Sequence, residues 1–162
     1  MVLRPSFRST ARKASFALLA LIVLLYALFL ALGGGVAIVE GYSMEPLLHS
    51  GDLVFILPPR AMGIDEGDIV VYEKGDRFII HRVILKYHEG NTTCYVVKGD
   101  NNSYPDLGYP GICGPVRIEG YGVFYGVPED YIVGVVVSLG GAPLKMPYLG
   151  GLRLLLNEIL QS

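Results

Sequence analysis

From Phe16 to Val39 the chain runs for 24 residues without a charge, FALLALIVLLYALFLALGGGVAIV, and that run dictates where everything after it can lie. As a single helix it would be about 36 Å long at about 1.5 Å per residue, enough to cross about 30 Å of hydrocarbon with some tilt. Arg4, Arg8, Arg12 and Lys13 precede it with no acid among them, while Glu40 and Glu45 follow it. The excess of basic residues before the run sets the N-terminus in the cytoplasm and the rest of the chain outside. The competing reading is a cleaved leader cut near Ala31 or Ala37, but leader cores are shorter, about 7 to 15 residues. The run therefore reads as a retained anchor. Gly33, Gly34 and Gly35 are expected to end or loosen the helix near the outer leaflet, since each glycine costs about 1 kcal/mol of helix propensity relative to alanine.

Beyond residue 40 the apolar runs are short, rich in β-branched residues and punctuated by glycine, proline and aspartate. They are DLVFIL at 52–57, DIVVYE at 68–73, RFIIHRVILKY at 77–87, TTCYVVK at 92–98, PVRIEGYGVFYG at 115–126 and YIVGVVVSL at 131–139. That spacing predicts strands. The expected fold is mostly β, a single N-terminal transmembrane helix followed by an antiparallel β domain. Gly51-Asp52, Gly67-Asp68 and Gly99-Asp100 mark turns at strand boundaries. The expected organisation is a basic cytoplasmic N-terminus at 1–15, the anchor at 16–39 and the extracytoplasmic β domain at 40–140. A C-terminal amphipathic or membrane-associated segment follows at 141–162, where leucines recur at helical spacing beside Arg153 and Glu158.

The formal net charge of −2 leaves no basic surface for nucleic acid. Cys94 and Cys113, the two cysteines, suit either a disulfide in an oxidising compartment or two buried free thiols. Their spacing fits no metal site, and no histidine or cysteine cluster supplements them.

Three residues stand out for chemistry. Ser43 lies in a turn-like or extended stretch, VEGYSMEPLLHSGDLVFI at 39–56, four residues past the apolar run and thus within about 10 to 15 Å of the bilayer surface. A serine hydroxyl is a weak nucleophile and needs an adjacent base, itself oriented by a third group. Strand periodicity puts His81 on a face with Ile79, Val83 and Leu85, an apolar setting for a histidine. The loop KGDNNSYPDLG offers two carboxylates, Asp100 and Asp106, and spacing alone does not decide between them. His49 and His88 read as surface or turn residues, and Lys74 and Lys98 as solvated strand-end lysines. Of the sequons, Asn91-Thr92-Thr93 is open to glycosylation outside the cell, whereas a glycan at Asn101-Asn102-Ser103 would crowd the site.

Taken in order, GYSMEPLLHSGDLVFI, GDIVVY, IIHRVI and VKGDNNSYPD resemble the boxes of type I signal peptidases, from about Val36 to about Leu139. The bacterial members carry a lysine as general base where this chain has His81, so the chain resembles the archaeal and endoplasmic-reticulum branch. The resemblance implies a membrane-bound serine endopeptidase that cuts after a small residue through an acyl-enzyme, with no cofactor or metal. It implies Ser43 as nucleophile, His81 as general base, Asp106 as the acid partner of His81 and Asp100 in a structural or auxiliary role. Its implied partners are signal peptides of secretory preproteins, the lipid bilayer, and export machinery or further signal peptidase subunits. The compact, Val-, Leu- and Gly-rich composition leans toward an archaeal membrane over an endoplasmic-reticulum one.

Overall fold

A computed structural model of the chain describes residues 7–148, with side chains described from Arg12 onward. Helix α1, Phe7–Ala31, is followed by strands β1 (Gly35–Ile38) and β2 (Leu53–Leu57) and the short helix α2 (Pro59–Met62). Then come β3 (Ile69–Lys74), β4 (Arg77–Glu89), β5 (Thr92–Lys98), β6 (Pro115–Ile118), β7 (Gly122–Tyr125) and β8 (Val127–Pro128). A 3₁₀ turn at Glu129–Tyr131 leads to β9 (Ile132–Val136), β10 (Ser138–Leu139), β11 (Ala142–Pro143) and β12 (Lys145–Met146). The architecture is the anchored antiparallel β domain that the hydrophobic pattern predicts.

The apolar run divides differently from the 16–39 span. Its helix stops at Ala31, where Gly34 N–H donates to the Phe29 carbonyl and Gly33 N–H to that of Leu30, each at 2.9 Å. That pair of bonds, with Gly33 at φ +82°, is a Schellman closure, which a glycine adopts without strain. The last apolar residues leave the helix and pair as β1 with β2, Gly35 opposite Ile56 and Ile38 opposite Leu53. A stretch this apolar satisfies lipid and sheet equally well, so the glycines, not hydropathy, set the boundary. Among the described residues Arg12–Ala31 is the one helix long and apolar enough to cross a membrane, and none of it is buried by the rest of the protein. Phe29 packs edge-on against Phe55 of β2, coupling the helix end to the sheet.

The main sheet runs β1-β2-β9-β3-β4-β5-β8, with β12 also paired to β2. The hairpins β6–β7 and β10–β11 stand apart from it. Two hydrophobic clusters hold the sheet. One gathers Val70, Tyr72, Val83, Tyr95, Val97, Val127, Ile132 and Val135 with Ile64. The other gathers Val39, Met44, Leu48, Val54, Ile69 and Val136. The period-2 alternation of a strand sends Ile69 of β3 into the second cluster and Val70 and Tyr72 into the first.

The C-terminal segment expected from residue 141 starts inside the sheet. Lys145 of β12 lies opposite Val54 and ion-pairs with Asp52 at 2.7 Å, and this burial of an acid draws the strand in. The leucine-rich part of that segment lies outside the described residues. Cys94 and Cys113 form a disulfide, which settles the choice the sequence left open.

Candidate active site

Ser43 sits in the turn between β1 and β2. Its neighbour Met44 is 1% exposed and Leu48 is fully buried, so the second cluster fixes the turn from below. The Leu48 N–H closes on the Met44 carbonyl at 2.9 Å. From the other side, the Asn101 N–H donates to the Ser43 carbonyl at 2.8 Å, and the Asn101 side-chain amide to that of Tyr42 at 3.1 Å. Gly99 permits this approach, since a Cβ there would lie 2.6 Å from the Ser43 carbonyl oxygen.

His81 lies in β4 opposite Val70 of β3 and is 5% exposed. It shares its face with Val83, as the alternation predicts, while the register shifts between Val83 and Leu85 and ends the regular pattern there. Nε2 of His81 is 3.0 Å from Ser43 Oγ. Nδ1 contacts Oδ2 of Asp106, which is drawn to the sheet by its own N–H donating to the Val97 carbonyl at 2.9 Å. The same Oδ2 accepts the Tyr72 hydroxyl at 2.7 Å. Serine, histidine and aspartate thus form one hydrogen-bonded chain spanning 63 residues of sequence, Ser43 to Asp106.

Asp100 is turned elsewhere. Both of its oxygens accept from Arg82, Oδ1 from Nε at 2.8 Å and Oδ2 from an Nη at 2.7 Å. This fork, a geometry to which guanidinium is suited, ties the Gly-Asp-Asn loop to β4 one residue beyond His81. The pairing holds the Arg82 pKa above its ordinary value, mainly through the hydrogen bond to Asp100. Arg82 also donates to the Gly67 carbonyl at 2.7 Å. Neither the Arg82 brace nor the Tyr72 contact was visible in the sequence, because each joins residues that only the folded sheet brings together.

The remaining candidates lie away from the chain. Lys74 Nζ donates to the Leu107 carbonyl at 2.6 Å and Lys98 Nζ to the Gly99 carbonyl at 3.1 Å. His88 is exposed near Thr93, and His49 stands by the Tyr148 ring. Among the described residues no group of three or more His, Cys, Asp or Glu could hold a metal ion.

A cleft of about 550 Å³ opens at Ser43, lined by Ala37, Ile38 and Glu40 on one side and by Asp76 to Ile80, with Val71, on the other. Both walls are strand edges. β1 pairs with β2 alone, and β4 pairs with β5 only from Arg82 onward. Among the described residues no strand covers the other edge of β1 or of residues 77–81. Backbone groups on such edges can pair with an added extended chain.

Residues 32–122 match the model of the Peptidase S24-like family. The signal peptidase complex catalytic subunit SEC11 of Schizosaccharomyces pombe is 33% identical over 143 residues, covering 76% of this chain and 67% of that protein. Those of Scheffersomyces stipitis and Fusarium vanettenii are each 30% identical over 125 and 126 residues, again across 76% of this chain. The chain spans 66% and 64% of the length of these two relatives, just under two thirds. It belongs to the Peptidase S24-like family and, by these relatives, to the signal peptidases.

Proposed function

We propose that this protein is a membrane-bound serine endopeptidase that removes signal peptides from exported preproteins, with Ser43 as nucleophile, His81 as general base and Asp106 orienting His81. The observation that carries the reading is the 3.0 Å approach of Ser43 Oγ to His81 Nε2 at the floor of an open, strand-edged cleft.

In this mechanism His81 Nε2 takes the Ser43 proton as Oγ attacks the scissile carbonyl, then returns it to the leaving amine. The acyl-enzyme that remains is opened by water, deprotonated by the same nitrogen. Asp106 accepts a hydrogen bond from Nδ1–H, which keeps that proton on Nδ1 and so holds the tautomer in which Nε2 is free to act as base. The Ser43 backbone N–H is the candidate oxyanion donor. A substrate in extended form would add its backbone to the free edges of β1 and β4, setting alternate side chains against Ala37, Val71 and Ile80. A wall of this apolar character suits the small residue that such enzymes require before the cut.

Arg4, Arg8, Arg12 and Lys13, ahead of the apolar stretch of α1, support a cytoplasmic N-terminus, which would put Ser43 at the outer face, 12 residues beyond the helix end. Signal peptides emerge there as membrane-inserted segments, so nucleophile and substrate share one interface. An archaeal cell membrane is our preferred location, with that of the endoplasmic reticulum second. The relatives are named as subunits of a complex, and we extend to this chain, as part of the proposal, other subunits or export machinery as partners.

The test is cleavage of a purified preprotein in detergent, with the new N-terminus identified by mass spectrometry. Wild type should cut after a small residue, and a folded Ser43→Ala protein should lose at least about 10⁴-fold in rate. Cleavage by Ser43→Ala at the wild-type rate would refute the reading.

A further inference from the structure

The Asp106 carboxylate has a second donor that neither the motifs nor the relatives point to. Tyr72 is fully buried in β3, two residues along from Val70, the strand partner of His81, so Tyr72 and His81 share one face of the β3–β4 pair. Its hydroxyl donates at 2.7 Å to Oδ2 of Asp106, the oxygen that also contacts His81 Nδ1. The phenol stays a donor at every working pH, because burial first, then its hydrogen bond to Asp106 and the charge of that carboxylate, push its pKa far above the ordinary value. Two further contacts fasten the Asp106 segment along β3. Lys74 Nζ donates to the Leu107 carbonyl at 2.6 Å, and the Tyr109 hydroxyl donates to the Glu73 carbonyl. Oδ2 therefore sits between two donors that are both carried by paired strands, while Asp106 itself stands on the loop.

We infer that Tyr72 is a positioning residue for the reaction, holding the Asp106 carboxylate in the rotamer that faces His81 Nδ1. The inference rests on the Ser43–His81–Asp106 reading. Asp106 enters on a loop, and a carboxylate held by a single imidazole can swing about its Cβ–Cγ bond. The Tyr72 hydroxyl, fixed by a packed strand, removes that freedom. Phenylalanine would fill the same core volume and leave the carboxylate short of one donor, so the consequence is chemical, not structural.

The experiment compares wild type, Tyr72→Phe, Asp106→Asn and the double variant in steady-state cleavage over a range of preprotein concentrations. Ser43→Ala is the reference for the underlying reading, and thermal melts report folding. Tyr72→Phe should lower kcat about tenfold with KM unchanged, and in the Asp106→Asn background it should have no further effect. The proton magnetic resonance of the His81 Nδ1–H should move in Tyr72→Phe and return upfield toward a free imidazole in Asp106→Asn. An unchanged kcat in Tyr72→Phe, or a tenfold loss that persists in the Asp106→Asn background, would overturn the inference. If Ser43→Ala stays active, the catalytic reading itself falls. If only the Tyr72 arms fail, that reading stands and Tyr72 is core alone.

Discussion

The two ends of the serine–histidine–aspartate chain rest on different parts of the molecule. Ser43 stands on a turn whose footing is two side chains, Met44 and Leu48, sunk in the cluster of Val39, Val54, Ile69 and Val136. His81 and Asp106 rest on residues of the other cluster, His81 as a strand residue opposite Val70 of β3, and Asp106 bonded to Val97 of β5 and Tyr72 of β3. His81, the proposed base, thus inherits its position from paired backbone, whereas Ser43, the proposed nucleophile, owes its position to docking. Where the two meet, the Gly-Asp-Asn loop bridges them, with Asn101 on the Ser43 carbonyl and Asp100 on Arg82. A serine so held is easier to displace than the histidine.

That contrast can be broken from the Ser43 side first. Met44→Ala removes a side chain that is 1% exposed and should cost about 2–5 kcal/mol by denaturation. Val97→Ala, in the other cluster, should also destabilise. At a temperature where both remain folded, however, only Met44→Ala should lower cleavage by more than about tenfold, because only it moves Ser43. Equal activity losses would erase the distinction.

A second cut falls on the loop that carries both aspartates. The disulfide joins Cys94 of β5 to Cys113, 19 residues on, and so encloses Asp100 and Asp106. Replacing both cysteines by alanine should cost about 3 kcal/mol in the chain-entropy picture. Differential scanning calorimetry should show that loss, and cleavage should weaken more steeply with temperature than in wild type.

The smallest effect concerns the clamp over the Ser43 loop. Asp52 is 1% exposed and accepts from the His49 N–H, Lys145 Nζ and the Tyr148 N–H, while Lys145 also donates to the Leu47 carbonyl. Burial alone would raise the Asp52 pKa, but these donors outweigh it and the pKa lies below the ordinary value. The unfolded chain therefore binds that proton more readily, so the stabilisation is present above the ordinary carboxylate range and is lost as pH falls through it. Asp52→Asn should cost about 1–3 kcal/mol at pH 7, and urea titrations should show the gap closing below about pH 4. A gap that persists undiminished at low pH would mean that the charge of Asp52 contributes nothing.

Much of the fold was legible because strands write a local signal. The runs at 52–57, 68–73, 77–87 and 92–98 became β2, β3, β4 and β5 within one or two residues. The apolar face around His81 was readable from period two alone. What could not be read was where one signal serves two solvents. Residues 35–38 are as apolar as the helix before them, yet they pair in the sheet, and only the Gly33 closure tells them apart. The site was legible in its residue types and their order. Its braces were not, because the contacts from Tyr72 to Asp106 and from Arg82 to Asp100 join positions 34 and 18 residues apart through tertiary packing. Spacing likewise could not divide the labour of Asp100 and Asp106, which share one loop and differ in the side chains each one meets, Arg82 for Asp100 and His81 with Tyr72 for Asp106.

That division of labour is also where the account is most exposed, and one measurement reaches it directly: single-turnover cleavage of a preprotein by Asp106→Asn and by Asp100→Asn, each first shown to be folded. The account predicts a loss of about 10⁴-fold for Asp106→Asn, through the wrong tautomer of His81. For Asp100→Asn, which loosens only the brace behind Ser43, it predicts about tenfold. A larger loss in Asp100→Asn than in Asp106→Asn would contradict the Ser43–His81–Asp106 chain as the catalytic machinery.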